Sequence, residues 1–116
     1  MKYVLLFCGN EEDAQRFYAM SKADLDAQLE RVGVWFSDPR IRGGQRLEPG
    51  STATTVRFSA NGEPLVTDGP FIEGKEDIGG WAIVEVPDLD DALAMAKAWP
   101  GGGAVEIRPV HASEQG

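Results

Sequence analysis

Apolar and polar residues change rhythm repeatedly along this chain, and each change marks an element. "YVLLFC", Tyr3 to Cys8, is apolar at both alternating positions, the pattern of a central strand covered on both faces. Gly9-Asn10 ends it. Ala14, Phe17 and Tyr18, at i, i+3 and i+4, predict a short helix. Ser21 with Asp24 three residues on resembles a capping box, and Leu25, Leu29 and Val32 form an amphipathic stripe that Gly33 ends. Residues 37–53 are rich in Gly, Pro and Arg and read as loop, with one short strand at Gln45 to Leu47. Thr54 to Ala60 alternates, with Val56 and Phe58 opposite Thr55, Arg57 and Ser59. Asn61-Gly62 predicts a hairpin that returns through Glu63 to Thr67, and Pro64 places this return at a sheet edge.

The second half repeats the alternation. "GGWAIVEV" reads as a strand apolar on both faces. Asp88 is an N-cap, and Leu89, Ala92, Leu93, Ala96 and Trp99 make a helical stripe that Pro100 and three glycines stop. "AVEIRPV" is a last strand, with Val105 and Ile107 opposite Glu106 and Arg108, and the tail "HASEQG" is expected to fray. The order β-α-(β)-β-β-β-α-β predicts an α+β, ferredoxin-like sandwich: an antiparallel-rich sheet with two main helices on one face. The other face would then expose apolar groups from two central strands beside Arg57, Glu106 and Arg108. Each large side chain left wet forgoes ~1.5–3 kcal/mol, so a homodimer with facing sheets is expected.

Composition narrows the function. The 116 residues fit a single domain, 1–116, and 42% hydrophobic with 26% charged residues is ordinary for a globular protein. A net charge of −8 argues against nucleic acid and anionic membranes as partners. No apolar run approaches the ~20 residues of a membrane span. "MKYVLLFCGN" lacks a long apolar region and a small-residue cleavage site, so a cytoplasmic protein is expected. Cys8 is alone and reads as a core thiol. One His and one Cys leave no paired metal-ligand spacing, so neither metal nor cofactor is expected.

The remaining chemistry sits on a few residues. Thr67 to Asp77, "TDGPFIEGKED", places four carboxylates, a lysine and an aromatic around a Gly-Pro turn. Acidic loops of this kind are usually solvated rather than cation sites. Asp68 either hydrogen-bonds its own turn or serves as general acid or base. An unpaired buried charge costs ~3–5 kcal/mol, so Arg57 and Arg108 must pair with carboxylates or line a wet cleft. Asp68 is therefore the catalytic candidate. Arg57, Phe71, Lys75 and Arg108 are the ligand-binding candidates, for a small anionic or carbonyl-bearing metabolite.

"VTDGPFIEGKEDIGGW", "VPDLDDALAMAKAWP" and "VEIRPV", with the opening "MKYVLLFCG", resemble the YCII-related family in its DGPF-motif branch. The resemblance covers nearly the whole chain and is weakest across residues 34–53. It implies a ferredoxin-like, dimeric α/β barrel. It also implies small-metabolite chemistry of isomerase, lyase or hydrolase type, or a regulatory role beside sigma factors. Some relatives use a paired His and Asp in the cleft. Here the helix from Ser21 to Val32 has no histidine, so that dyad does not carry over, and Asp68 alone matches an acid.

Overall fold

The computed structural model describes residues 1–71 and 76–115. Along these residues run β1 (Lys2–Asn10), α1 (Glu11–Tyr18), α2 (Lys22–Phe36), β2 (Ile41–Arg46), β3 (Thr54–Phe58), β4 (Pro64–Asp68), β5 (Glu76–Glu85), α3 (Leu89–Lys97) and β6 (Ala104–Pro109). Short 3-10 turns occupy Gly50–Thr52 and Ala112–Glu114. Four strands form an antiparallel sheet in the order β2-β5-β1-β6, and β3 pairs with β4 in a separate ribbon. Without the ribbon the chain reads β-α-β-β-α-β, its third strand lying between its first and second. That is the ferredoxin-like arrangement expected from the sequence.

Strand alternation decides which face is the core. Tyr3, Leu5 and Phe7 share a face with Ala82 and Val84, and all five are buried. Helices α2 and α3 cover that face through Trp35, Phe36, Ala92 and Met95. Phe7 stacks on Trp99 at 3.9 Å between centroids and meets the edges of Trp35 and Phe36 at 5.5 and 6.0 Å. Trp35 Nε1 donates to the Met95 carbonyl at 3.0 Å, so the aromatic cluster also ties α2 to α3. Aromatic pairs contribute ~0.5–1.5 kcal/mol beyond their area. The opposite face carries Val4, Leu6, Trp81 and Ile83, all only half-buried. The apolar double alternation of β1 therefore has one covered side and one partly wet side.

The caps explain the helix starts. Asn10 accepts from the Asp13 amide at 2.8 Å while Asp13 accepts from the Asn10 amide at 2.9 Å, a full capping box. Ser21 accepts from the Asp24 amide at 3.2 Å, and Asp88 from the Asp91 amide at 3.1 Å.

Three boundaries differ from the sequence reading. Gly33 does not end α2. It keeps a negative φ, and the helix runs on to Phe36 because Trp35 and Phe36 reach the cluster around Phe7. The strand expected at Gln45 to Leu47 starts earlier, at Ile41. Its glycines mark close approach rather than a loop: a Cβ on Gly43 would lie 3.9 Å from the Trp81 ring, and one on Gly44 only 2.9 Å from Phe36. The tail is tied down rather than frayed. Gln115 donates to the Val110 carbonyl at 2.6 Å and to the Lys2 carbonyl at 3.2 Å, and it accepts from the Lys2 amide.

The ribbon stands off from the body. Its register pairs Thr54 with Asp68, Val56 with Val66 and Phe58 with Pro64. Gly62 turns the hairpin at φ 85°, its amide donating to Ser59 at 2.8 Å. The ribbon hangs from the 3-10 turn, where the Gly50 amide donates to the Asp77 carboxylate at 2.9 Å. The Cα radius of gyration is 16.2 Å, against about 13 Å for a compact chain of this length.

Candidate functional site

Where β1 hands over to α1, the structure opens into a cleft of about 470 Å³. Its floor is the exposed side of the aromatic cluster, Phe7, Phe36 and Trp99. Helix α1 adds Phe17 and Tyr18 as one wall, which the Asn10–Asp13 capping box fixes in place. Helix α2 adds Leu29 and Val32. The rim is polar, with Gln28, Gln45, Arg46 and Glu48. Behind Trp99 the chain passes through Gly101–Gly103 at close quarters. Gly103 has φ 70°, and a Cβ there would sit 2.3 Å from the Cys8 carbonyl oxygen. Gln28 Nε2 donates to the Pro100 carbonyl at 2.6 Å and anchors this loop to α2.

The charged groups around the cleft divide into committed and available. The Asn10 amide and then Arg16 hold the Asp13 carboxyl below the usual carboxylate range, so it stays ionised as a cap. Asp77 accepts the Gly50 amide. Burial, then the charges of Glu106, Glu76 and Asp77, push the Cys8 thiol up, so Cys8 stays protonated and is a poor nucleophile. Its Sγ donates weakly to the Leu6 carbonyl at 3.6 Å. Arg46, at the end of β2, has no ion-pair partner among the described residues. The cleft thus offers an aromatic floor with Phe36 edge-on to Trp99 and, in Arg46, a guanidinium without an ion-pair partner among the described residues, a combination suited to a small ring carrying negative oxygen substituents.

Those residues singled out in the sequence that the structure describes lie elsewhere. Arg57 and Phe71 meet each other: the guanidinium lies 4.6 Å above the Phe71 ring, and Nη2 donates to the Phe71 carbonyl at 2.9 Å. Asp68 ends β4 opposite Thr54 and is exposed. Its turn is held by Gly69 N donating to Ala53 O at 2.8 Å and Thr55 Oγ1 donating to Gly69 O at 2.7 Å. The Asp68 carboxylate has no partner among the described residues. Arg108 projects from β6 opposite Val4, on the outer face of the sheet. None of Arg57, Asp68, Phe71 or Arg108 lines the cleft. Lys75 and Glu73 lie outside the described residues. Sequence reasoning placed Arg46 in the short strand at Gln45 to Leu47 but did not single it out, because no motif marks it.

The YCII-related domain profile matches residues 1–113. The chain belongs to the YCII-related family. An uncharacterised protein of Rhizobium meliloti (strain 1021) is 44% identical to this YCII-related chain over 69 residues. That match takes in 56% of this chain and 55% of the relative, so the chain spans little more than half the relative's length. Among solved structures, 5-chloro-2-hydroxyhydroquinone dehydrochlorinase from Burkholderia phenoliruptrix AC1100, in complex with 2,5-dihydroxybenzoquinone, aligns with a TM-score of 0.50. The alignment covers 96% of this chain and 94% of that one at 14% identity, and shows a shared fold.

Proposed function

We propose that this YCII-related protein binds a small, ring-bearing anionic metabolite in the aromatic cleft and acts on it as an enzyme, working as a homodimer. The observation that carries the reading is Arg46, without an ion-pair partner among the described residues, at the rim of a cleft floored by Phe7, Phe36 and Trp99. A ring stacked on that floor gains the aromatic contribution, and its oxyanion gains a charge-assisted hydrogen bond worth ~1.5–3 kcal/mol. The shared fold of a dehydrochlorinase solved with a dihydroxybenzoquinone supports the choice of a small oxygenated ring. Isomerisation and elimination both suit such a ring, since each needs a bound oxyanion and a proton acceptor. The lining of the cleft favours Arg46 over Asp68, Arg57 or Arg108 as the anion-holding group. The homodimer reading rests on the half-buried outer face of Val4, Leu6, Trp81 and Ile83, which a second copy of the chain would close.

The test is a fluorescence titration of a Trp81→Phe variant, which leaves only Trp35 and Trp99 of the aromatic cluster as reporters, using hydroxybenzoates and dihydroxybenzoquinone against their uncharged analogues, with ring absorbance followed for turnover. Saturable quenching that prefers the anions is expected. Arg46→Met should weaken binding by about tenfold or more while leaving the melting temperature unchanged. Absence of saturable quenching by every ring tested rules the cleft out as the site.

A further inference from the structure

The β3–β4 ribbon carries apolar side chains that its own chain does not cover. Val56, Phe58 and Val66 share one face of the ribbon and are 48, 72 and 62% exposed. An isolated two-stranded ribbon is only marginally stable in water, so this one needs a cover that is always present. A second copy of the chain meets that condition. The outer sheet face offers an apolar surface of matching kind, Val4 and Leu6 beside Ile83 and Trp81. The lengths also agree: five residues of β3 span ~17 Å, close to the six residues of the β6 edge.

Charge adds the register. The apolar ribbon face ends in Asp68, beside Thr54 and past Val66. The apolar sheet face is bordered at Val4 by Arg108 and at its end by Lys2, with Glu106 further along β6. Glu85, on the same face, pairs with Arg42 at 3.4 Å. Neither Asp68 nor Arg108 has an ion-pair partner among the described residues.

We infer that the β3–β4 ribbon is an arm that packs Val56, Phe58 and Val66 against Val4 and Leu6 on a second copy's outer sheet face, setting Asp68 against that copy's neighbouring Arg108. The inference rests on the homodimer reading and assigns it a specific contact. Two such contacts form in a two-fold dimer, one from each arm.

Sedimentation equilibrium tests it. Wild-type protein should be dimeric at micromolar concentration, and Phe58→Ser with Val66→Ser should weaken the dimer about tenfold or more. Asp68→Arg and Arg108→Asp should each weaken it alone. Mixing these two single variants should restore dimers, because in the mixed pair each arm meets an opposite charge; a contact within one chain gains nothing from mixing. Near-UV circular dichroism of the Trp35–Trp99 cluster checks that the body stays folded. Should the apolar double variant fail to fold, the mixing experiment still decides. A dimer unchanged by the ribbon substitutions overturns the arm alone and leaves the homodimer standing, its outer faces closed without the ribbon. A wild-type monomer overturns both. Ligand quenching in a Trp81→Phe background, where no tryptophan lies on the outer sheet face, reports on the cleft independently of either.

Discussion

Single residues set the local tolerances of this molecule. Gly103 is one, since φ 70° and a 2.3 Å approach to the Cys8 carbonyl leave no room for a methyl group. Gly103→Ala should cost ~1–3 kcal/mol, seen as a lowered denaturant midpoint. It should also weaken ligand binding, since this loop backs Trp99. Asp38 is another. Three hydrogen bonds from Arg40, those of its side chain first and then its amide, bring its pKa down to about 2. A depressed carboxyl pKa stabilises the fold above the unfolded value of ~3.9, and that contribution is lost as pH falls through the folded value. Asp38→Asn should therefore melt below wild type at neutral pH, with the gap closing between about pH 4 and 2. The effect will be small because both groups face water. At this scale the sequence was least informative about chemistry. Asp68 stood out by its Gly-Pro neighbours, whereas Arg46, inside the short strand expected at Gln45 to Leu47, carried no motif to mark it.

Elements were more legible where the pattern was long. The cap at Asp88, the stripe of α3 and both faces of β6 follow directly from residue spacing. The failures share one cause, tertiary contact overriding a local signal. Gly33 stops a helix in isolation, but two aromatics beyond it have a cluster to join. Gly43 and Gly44 punctuate a loop in isolation, but here they let β2 lie against Trp81 and Phe36. The tail was read as frayed because nothing in "HASEQG" announces that Gln115 will find Lys2. The junction between sheet and ribbon is the element most dependent on one side chain. Asp77→Ala removes the carboxylate that accepts the Gly50 amide, for a loss of ~0.5–1.5 kcal/mol. Faster hydrogen exchange at Gly50 and along β3, with the β1–β5 pairing unchanged, is the expected signature.

At the scale of the whole molecule, the body and the ribbon are separable. The buried core draws on β1, β5 with the residue after it, and α3, and the half-buried groups packed on it come from α2, β2, β6, and α3 with the turn after it. No ribbon residue belongs to it. Replacing residues 54–68 with a short turn should therefore leave the aromatic near-UV signature and cooperative melting of the body in place. Loss of cooperative melting would show instead that the ribbon folds as part of the core. The four-stranded topology was legible because strand and helix order alone leave few ways to build an antiparallel sheet with helices on one face. The detachment of β3 and β4 was not, since an alternating hairpin reads the same whether it joins a sheet or leaves it.

The stitched ends carry a consequence of their own. Val110 donates to Lys2 at 2.9 Å, Val86 donates to Met1 at 3.0 Å, and Gln115 closes over Lys2 from the far end of the sequence. Residues 2 and 115 are thus neighbours in space, and a short peptide between them would turn the chain into a ring without disturbing a strand. Cut instead at the Asn61-Gly62 hairpin, that ring becomes a permuted protein whose new ends lie at the tip of the ribbon. Tags or dyes placed there would report on whatever surface the tip meets, far from the cleft.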